Sequence, residues 1–172
     1  TLGIDIGSTT SKAVILKDGK DIIASTIIVA GTGTVGPQRA MDEIFQKSKI
    51  SRENIDYIVA TGYGRKTFKN ADYEVSELTC HAKGVNFLFP EVGTIIDIGG
   101  QDAKVLSINP EGKMVNFLMN DKCAAGTGRF LDVMANILQL DINELEVEAE
   151  KSDKPVKISS TCTVFACLLY TS

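Results

Sequence analysis

Residues 4–17 read Ile-Asp-Ile-Gly-Ser-Thr-Thr-Ser-Lys-Ala-Val-Ile-Leu-Lys, and residues 96–109 read Ile-Asp-Ile-Gly-Gly-Gln-Asp-Ala-Lys-Val-Leu-Ser-Ile-Asn. The same unit is present twice: Asp5 matches Asp97, Gly7 matches Gly99 and Lys12 matches Lys104. A glycine turn follows each stretch, Asp18-Gly19-Lys20 and Glu111-Gly112-Lys113. A third β-rich run comes next, Ile22 to Val29 in one copy and Met114 to Met119 in the other. Each copy therefore reads strand, tight polar turn, strand, turn, strand. Chance similarity between two buried hairpins is the alternative, and the matched Asp, Gly and Lys spacing makes it the weaker one.

A helix follows each copy. The first is predicted to begin near Pro37, which suits the first helical position, with Ala40, Ile44 and Phe45 on one face. The second is predicted near Ala124, carrying Phe130, Leu131, Met134, Ile137 and Leu138. Residues 55–60 read as a further buried strand, and residues 76–88 as a helix ended by Pro90. Two β-β-β-α units predict two similar α/β domains facing a cleft, with the boundary within residues 89–93.

The bulk composition sets outer limits. The chain has 172 residues, 44% hydrophobic and 23% charged, as in an ordinary globular protein. A net charge of −4 and a pI near 5.1 argue against a nucleic-acid or anionic-membrane surface. No apolar run approaches the roughly 18 residues of a membrane helix. The opening residues read as a buried strand rather than a signal peptide, so the expected compartment is the cytoplasm. The missing initiator Met implies that a few residues precede Thr1. No two of the four cysteines (Cys80, Cys123, Cys162 and Cys167) form a CxxC, which removes the usual support for zinc-ribbon or thioredoxin chemistry.

The two turns have the chemistry of phosphate binding. Gly7 precedes Ser8-Thr9-Thr10-Ser11-Lys12. Glycine lets the backbone approach a ligand, turn N–H groups point at phosphate oxygens, hydroxyls add donors and Lys12 adds a cation. Gly99-Gly100-Gln101 is expected to face this turn, with Asp5 and Asp97 at the strand ends to hold Mg²⁺ through water. One such turn alone is a weak signal, since hairpins carry Gly and Ser for local reasons; two in a repeated frame are much stronger. No GxxxxGK[ST] occurs, so this is not a Walker A loop. The pattern resembles the actin, hexokinase and Hsp70 superfamily, in which two such loops clasp the β- and γ-phosphates.

Cys123 precedes the second predicted helix, and Cys162 follows the capping residues Ser160 and Thr161. A helix N-terminus favours thiolate. A cubane iron–sulfur cluster usually takes four thiolates, so two per chain call for two chains about a two-fold axis. From spacing alone, buried inert cysteines are the stronger reading, and Cys80 and Cys167 keep that role. His81, on a predicted helix, reads as structural.

Five stretches together resemble one family. They are residues 2–9, Ala60-Thr61-Gly62-Tyr63-Gly64-Arg65, residues 96–102, Asn120 through Met134 and Ser159 through Ala166. They are similar to the activators of 2-hydroxyacyl-CoA dehydratases, of the BadF/BadG/BcrA/BcrD ATPase type. The run Asn-Asp-Lys-Cys-Ala-Ala-Gly-Thr-Gly-Arg-Phe-Leu is the most specific. The resemblance implies an α/β fold of duplicated actin/hexokinase/Hsp70-like (ribonuclease H-like) domains with mixed β-sheets. Residues 1–90 form the first ATPase domain and residues 91–166 the N-terminal part of the second.

The same resemblance implies a homodimer with one [4Fe-4S] cluster at its interface, bound by Cys123 and Cys162 of each chain. Asp5, Asp97 and Gln101 form the implied catalytic set. Gly7, Ser8, Thr9, Thr10, Ser11 and Lys12 match the first nucleotide loop, and Gly99, Gly100 and Gln101 the second. Gly126, Thr127 and Gly128 join cluster and nucleotide. ATP hydrolysis to ADP then drives one low-potential electron into the dehydratase component, with ferredoxin or flavodoxin as the source. Because Gln101 is a neutral amide where related kinases and chaperones place an acid, slow hydrolysis is expected.

Residues 167–172 do not resemble the family. The second domain is therefore expected to be truncated at its C-terminus, without the Gly-Gly loop that holds adenosine and with apolar surface left exposed. Competing readings are an ATPase subunit of a benzoyl-CoA reductase-like system, a small-molecule kinase of the same fold, and a cluster-free nucleotide-dependent binding protein.

Overall fold

A computed structural model describes residues 1–121 and 126–154. Internal packing divides the chain into two units, Thr1–Val92 with Ile108–Met114, and Gly93–Ser107 with Val115 onward.

In the first unit, strands β1 (Leu2–Ile6), β2 (Ser11–Lys17) and β3 (Asp21–Ile28) form an antiparallel meander. Asp18 and Gly19 both take positive φ, 52° and 68°, the geometry of a type I′ hairpin turn, which follows the twist of the strands it joins. Helix α1 (Gly36–Ser48) carries Pro37 in its first turn, and Lys49 closes it in the left-handed region. Strand β4 (Ile58–Thr61) pairs with β1 in parallel and β5 (Tyr73–Glu74) adds a short edge, giving the mixed order β3-β2-β1-β4-β5. Helix α2 (Glu77–Leu88) starts at Ser76, whose hydroxyl accepts from the Thr79 N–H.

Alternation fixes the two faces of this sheet. The register sets Leu2 opposite Ile15 and Ile58, and Ile4 opposite Ala13 and Ala60. That face is buried and packs with Ala40, Met41 and Ile44 of α1. Each fully buried Ile or Leu contributes about 1.5–3 kcal/mol. A one-residue slip would turn this whole set outward, so the register is firmly set. The same alternation puts Asp5, Lys12 and Thr61, which share one row, on the other face. The expected strand over residues 55–60 begins three residues late, because Ile55 closes a 3₁₀ turn over Arg52–Asn54.

The other unit opens with β6 (Thr94–Ile98), which pairs antiparallel with β7 (Ala103–Ile108); β8 (Met114–Asn120) completes the order β6-β7-β8. Helix α3 spans Gly128–Leu138 and the short α4 spans Leu145–Glu150. Helix α3 therefore starts later than the expected position near Ala124. Gly126 has φ 77° and Thr127 is extended, so helical geometry starts only at Gly128. Ile96 and Ile98 on β6, and Val115, Phe117, Leu118 and Met119 on β8, are exposed.

Candidate functional site

The β1–β2 connection is closed by the Gly7 N–H, which donates to the Thr10 carbonyl at 2.9 Å. Beneath it the Lys12 ammonium sits 2.8 Å from Asp5 Oδ2, with 44% of the Lys12 side chain and 25% of the Asp5 side chain exposed. Pairing across an antiparallel ladder brings these two together: Asp5 is directly opposite Lys12. Gly7, Ser8 and Thr10 are half-buried and Thr9 is exposed. Ser11 differs from its neighbours. It is fully buried and its hydroxyl donates to the Ala30 carbonyl at 2.7 Å, so this oxygen is committed inside the fold.

Two loops close around this turn at the carboxyl ends of β1 and β4, the edge of a parallel pair where ligands bind. The Thr32 N–H donates to the Gly7 carbonyl and the Gly64 N–H to the Ile6 carbonyl, each at 2.8 Å. The Arg65 guanidinium donates to the Gly62 carbonyl at 2.9 Å. Gly62 has φ +84°, and a Cβ there would lie 2.2 Å from Asp5 Oδ1. The Asp5 carboxylate is thus seated against bare backbone. Thr61 Oγ1, in the same row, is buried without a hydrogen-bond partner among the described residues. Glycine-rich Thr61–Gly64 carries this signal in the sequence, but nothing there says that its backbone supports Asp5.

The second turn repeats the first. The Gly99 N–H donates to the Asp102 carbonyl at 2.8 Å, and Asp97 is opposite Lys104. The cation is handled differently. Lys104 is only 4% exposed and lies 2.8 Å from Asp102 Oδ1 and 3.4 Å from Asp97 Oδ2. Gly99 and Gly100 are half-buried, whereas Gln101 is exposed.

The start of α3 is bonded to this turn. The Gly128 N–H donates to the Gly99 carbonyl at 2.9 Å, and the Arg129 N–H to the Gly100 carbonyl at 3.0 Å. Two N–H groups that every helix leaves free at its start are therefore taken by the turn. Thr127 is fully buried beside them, and Gly126 is exposed. In the first unit the matching glycine carbonyl is held by Thr32, four residues before α1. Among the described residues, the second turn is bonded directly to its helix and the first is not.

Cys123 and Cys162 lie outside the described residues, as do Ser160, Thr161 and Cys167. Cys80 is a free, half-buried thiol. No cluster of His, Cys, Asp and Glu suited to a metal ion occurs among the described residues. Among them, too, no helix is long and apolar enough to cross a membrane.

A model of the BadF/BadG/BcrA/BcrD ATPase family matches residues 2–169. The 2-hydroxyisocaproyl-CoA dehydratase activator of Clostridioides difficile is 60% identical over 166 residues, covering 96% of this chain and 62% of the relative. The (R)-2-hydroxyglutaryl-CoA dehydratase activating ATPase of Acidaminococcus fermentans is 56% identical over 167 residues, 96% of this chain and 64% of the relative. Among solved structures, the activator of the 2-hydroxyisocaproyl-CoA dehydratase from Clostridium difficile with bound ADPNP superposes with a TM-score of 0.93 at 58% identity. It covers 99% of this chain and 64% of that one. The chain thus spans under two thirds of the length of these relatives. The fold is the actin/hexokinase/Hsp70-like ATPase fold.

Proposed function

The chain belongs to the BadF/BadG/BcrA/BcrD ATPase family, and from that membership we propose that it is the nucleotide-binding part of an ATP-dependent one-electron donor to a 2-hydroxyacyl-CoA dehydratase. The observation that carries this reading is the pair of hydrogen bonds from Gly128 and Arg129 to Gly99 and Gly100. A phosphate group that shifts the second turn shifts the start of α3 with it. Differential contact with ATP and ADP then biases a hinge-type element.

The residues fit a nucleotide. Ser8 to Thr10 present turn N–H groups and hydroxyls, and the Lys12 ammonium is accessible beside them. Asp5 and Asp97 are oriented by lysines, at 2.8 and 3.4 Å, and are the carboxylates that would hold Mg²⁺ through water. Gln101, exposed on its turn, orients the attacking water without taking its proton, which keeps hydrolysis slow.

Thiolates are the donors an iron–sulfur cluster takes, and Cys123 and Cys162 are the residues that would hold it, two from each chain of a homodimer. Bound there, the cluster supplies one-electron chemistry at low potential. Ferredoxin or flavodoxin is the proposed electron source, and the dehydratase component the acceptor. The activators at 60% and 56% identity favour a dehydratase over a reductase partner.

The test is iron and acid-labile sulfide content after anaerobic purification, with an EPR spectrum of the dithionite-reduced protein, on wild type and Cys123→Ser. About four irons per dimer, lost in the variant, is the expected result. A colourless protein after anaerobic reconstitution, in a chain carrying the full length of its relatives, would sink the electron-donor reading. A small-molecule kinase or a cluster-free binding protein would then take its place.

A further inference from the structure

Aligned lysines in a repeat invite the same role for both, yet the two hairpins treat them differently. Lys12 bridges one carboxylate and keeps 44% of its side chain exposed. Lys104 is 4% exposed and is held by two carboxylates. The second carboxylate arises because Asp102 stands where the first turn has Thr10. It lies close under the turn: a Cβ on Gly99 would sit 2.6 Å from Asp102 Oδ1, whereas at Gly7 the nearest side-chain atom, Thr10 Oγ1, is at 3.8 Å. A buried ammonium is tolerated only when paired, and withdrawing it from two carboxylates would leave both of them poorly compensated.

We propose that Lys104 is a positioning residue, tying Asp97 and Asp102 together beneath the second turn and leaving Lys12 as the cation available to phosphate. The proposal rests on the nucleotide reading above only for the ligand that the turns hold. Within the hairpin it makes the turn a rigid unit. Asp102 closes the turn through its carbonyl to the Gly99 N–H and grips Lys104 through its carboxylate. The Gly99 and Gly100 carbonyls that face α3 are thereby fixed in direction. The first turn has no such internal clamp, so Lys12 can leave Asp5 for a phosphate without loosening its hairpin. The two copies have diverged into a cation donor and a carboxylate holder.

The experiment compares Lys104→Met, near in length, with Lys12→Met and Asp102→Asn. One arm needs no nucleotide: amide hydrogen exchange on the protein. Lys104→Met and Asp102→Asn are expected to speed exchange of the turn over residues 99–102 by about tenfold while the paired β6–β7 amides change little. Lys12→Met is expected to leave this turn unchanged. The second arm measures binding of a fluorescent ADP with and without Mg²⁺. Lys12→Met should weaken binding about tenfold in either condition. Lys104→Met should stay within about twofold of wild type without Mg²⁺ and shift the Mg²⁺ requirement about fivefold. Unchanged exchange at the turn, or exchange raised evenly over β6–β8, would overturn the clamp. So would a Mg²⁺-free loss of affinity in Lys104→Met equal to that of Lys12→Met. If wild type bound no ADP even in a chain carrying the full length of its relatives, the nucleotide reading would fall, and the exchange arm would still decide the clamp.

Discussion

The amide of Gly128 donates to the carbonyl of Gly99 at 2.9 Å, bonding the first residue of α3 to the glycine turn that follows β6. Proline at the first helical position is compatible with the helix but has no N–H to donate. Gly128→Pro is therefore expected to keep nucleotide binding while lowering nucleotide-dependent electron transfer about tenfold or more. Gly128→Ala is the control. Its Cβ would meet the Gly99 carbonyl and Gly100 Cα at the ordinary distances of 3.5 and 3.6 Å. Alanine should leave coupling intact and raise stability by up to ~1 kcal/mol. Equal transfer rates in wild type and Gly128→Pro would show that coupling runs elsewhere.

Gly62 leaves the space that the carboxylate of Asp5 occupies. Its φ of +84° disfavours any side chain, and the added Cβ would lie 2.2 Å from Asp5 Oδ1 and 2.6 Å from the Ile6 carbonyl. Gly62→Ala is expected to cost about 2 kcal/mol or more and to displace Asp5 from Lys12. A urea melt measures the first effect and ADP affinity the second. A variant as stable as wild type would mean the 61–65 loop relaxes freely.

Most of the fold was legible in the sequence because period-2 alternation and turn chemistry agree in both copies. Asp18-Gly19 forms the I′ turn, and Leu2, Ile4 and Ile6 form the buried row. The missed boundary is local: the second helix is expected from near Ala124, yet Gly126 takes φ 77° and helicity waits for Gly128. Side-chain commitments were less legible. Ser11 reads like its neighbours, but strand alternation turns it to the buried face, where its hydroxyl donates to the Ala30 carbonyl. Lys12 and Lys104 match in the repeat, and Asp102 in place of Thr10 is visible beside them, but only the structure shows its consequence: Lys12 stays open to a ligand while Lys104 is enclosed by two carboxylates. Support of Asp5 by Gly62 depends on a parallel pairing between segments far apart in sequence, which no local pattern encodes.

Thr61 places a buried hydroxyl, without a hydrogen-bond partner among the described residues, beside Asp5. An orphaned buried hydroxyl costs about 1–3 kcal/mol, and valine has nearly the same shape. Thr61→Val should match wild type or gain up to ~1 kcal/mol in the ligand-free protein. If the hydroxyl serves the bound nucleotide, the same variant loses ADP affinity, so melts with and without ADP should move in opposite directions. Destabilisation in the ligand-free protein would show that the hydroxyl already has a partner.

Gln101 is exposed on the second turn, where a carboxylate would act as a stronger base. Gln101→Glu is expected to raise ATP turnover about tenfold while weakening its coupling to electron transfer. Unchanged turnover would remove Gln101 from the hydrolytic step.

Glu43 gives the first unit a pH dependence that can be separated from the site. On α1 its carboxylate accepts from Lys47, 2.7 Å away, and from the hydroxyl of buried Thr26 on β3. The hydrogen bond with Lys47, then that with Thr26, lowers its pKa below the ordinary 4.5. A carboxyl whose pKa is lower folded than unfolded binds more protons when unfolded. Its stabilising contribution is therefore fully present above the unfolded value and is lost as pH falls through the folded one. Glu43→Gln keeps an acceptor for Thr26 and removes the charge. Wild type should thus be the more stable of the two at pH 7, with the gap closing below 4.5 as the carboxyl protonates. The gap should also shrink in high salt, because the Lys47–Glu43 pair is half-exposed. Urea melts of both proteins across this range check the sign. A gap that widened towards acid would mean that Glu43 is strained by its partners rather than stabilised by them.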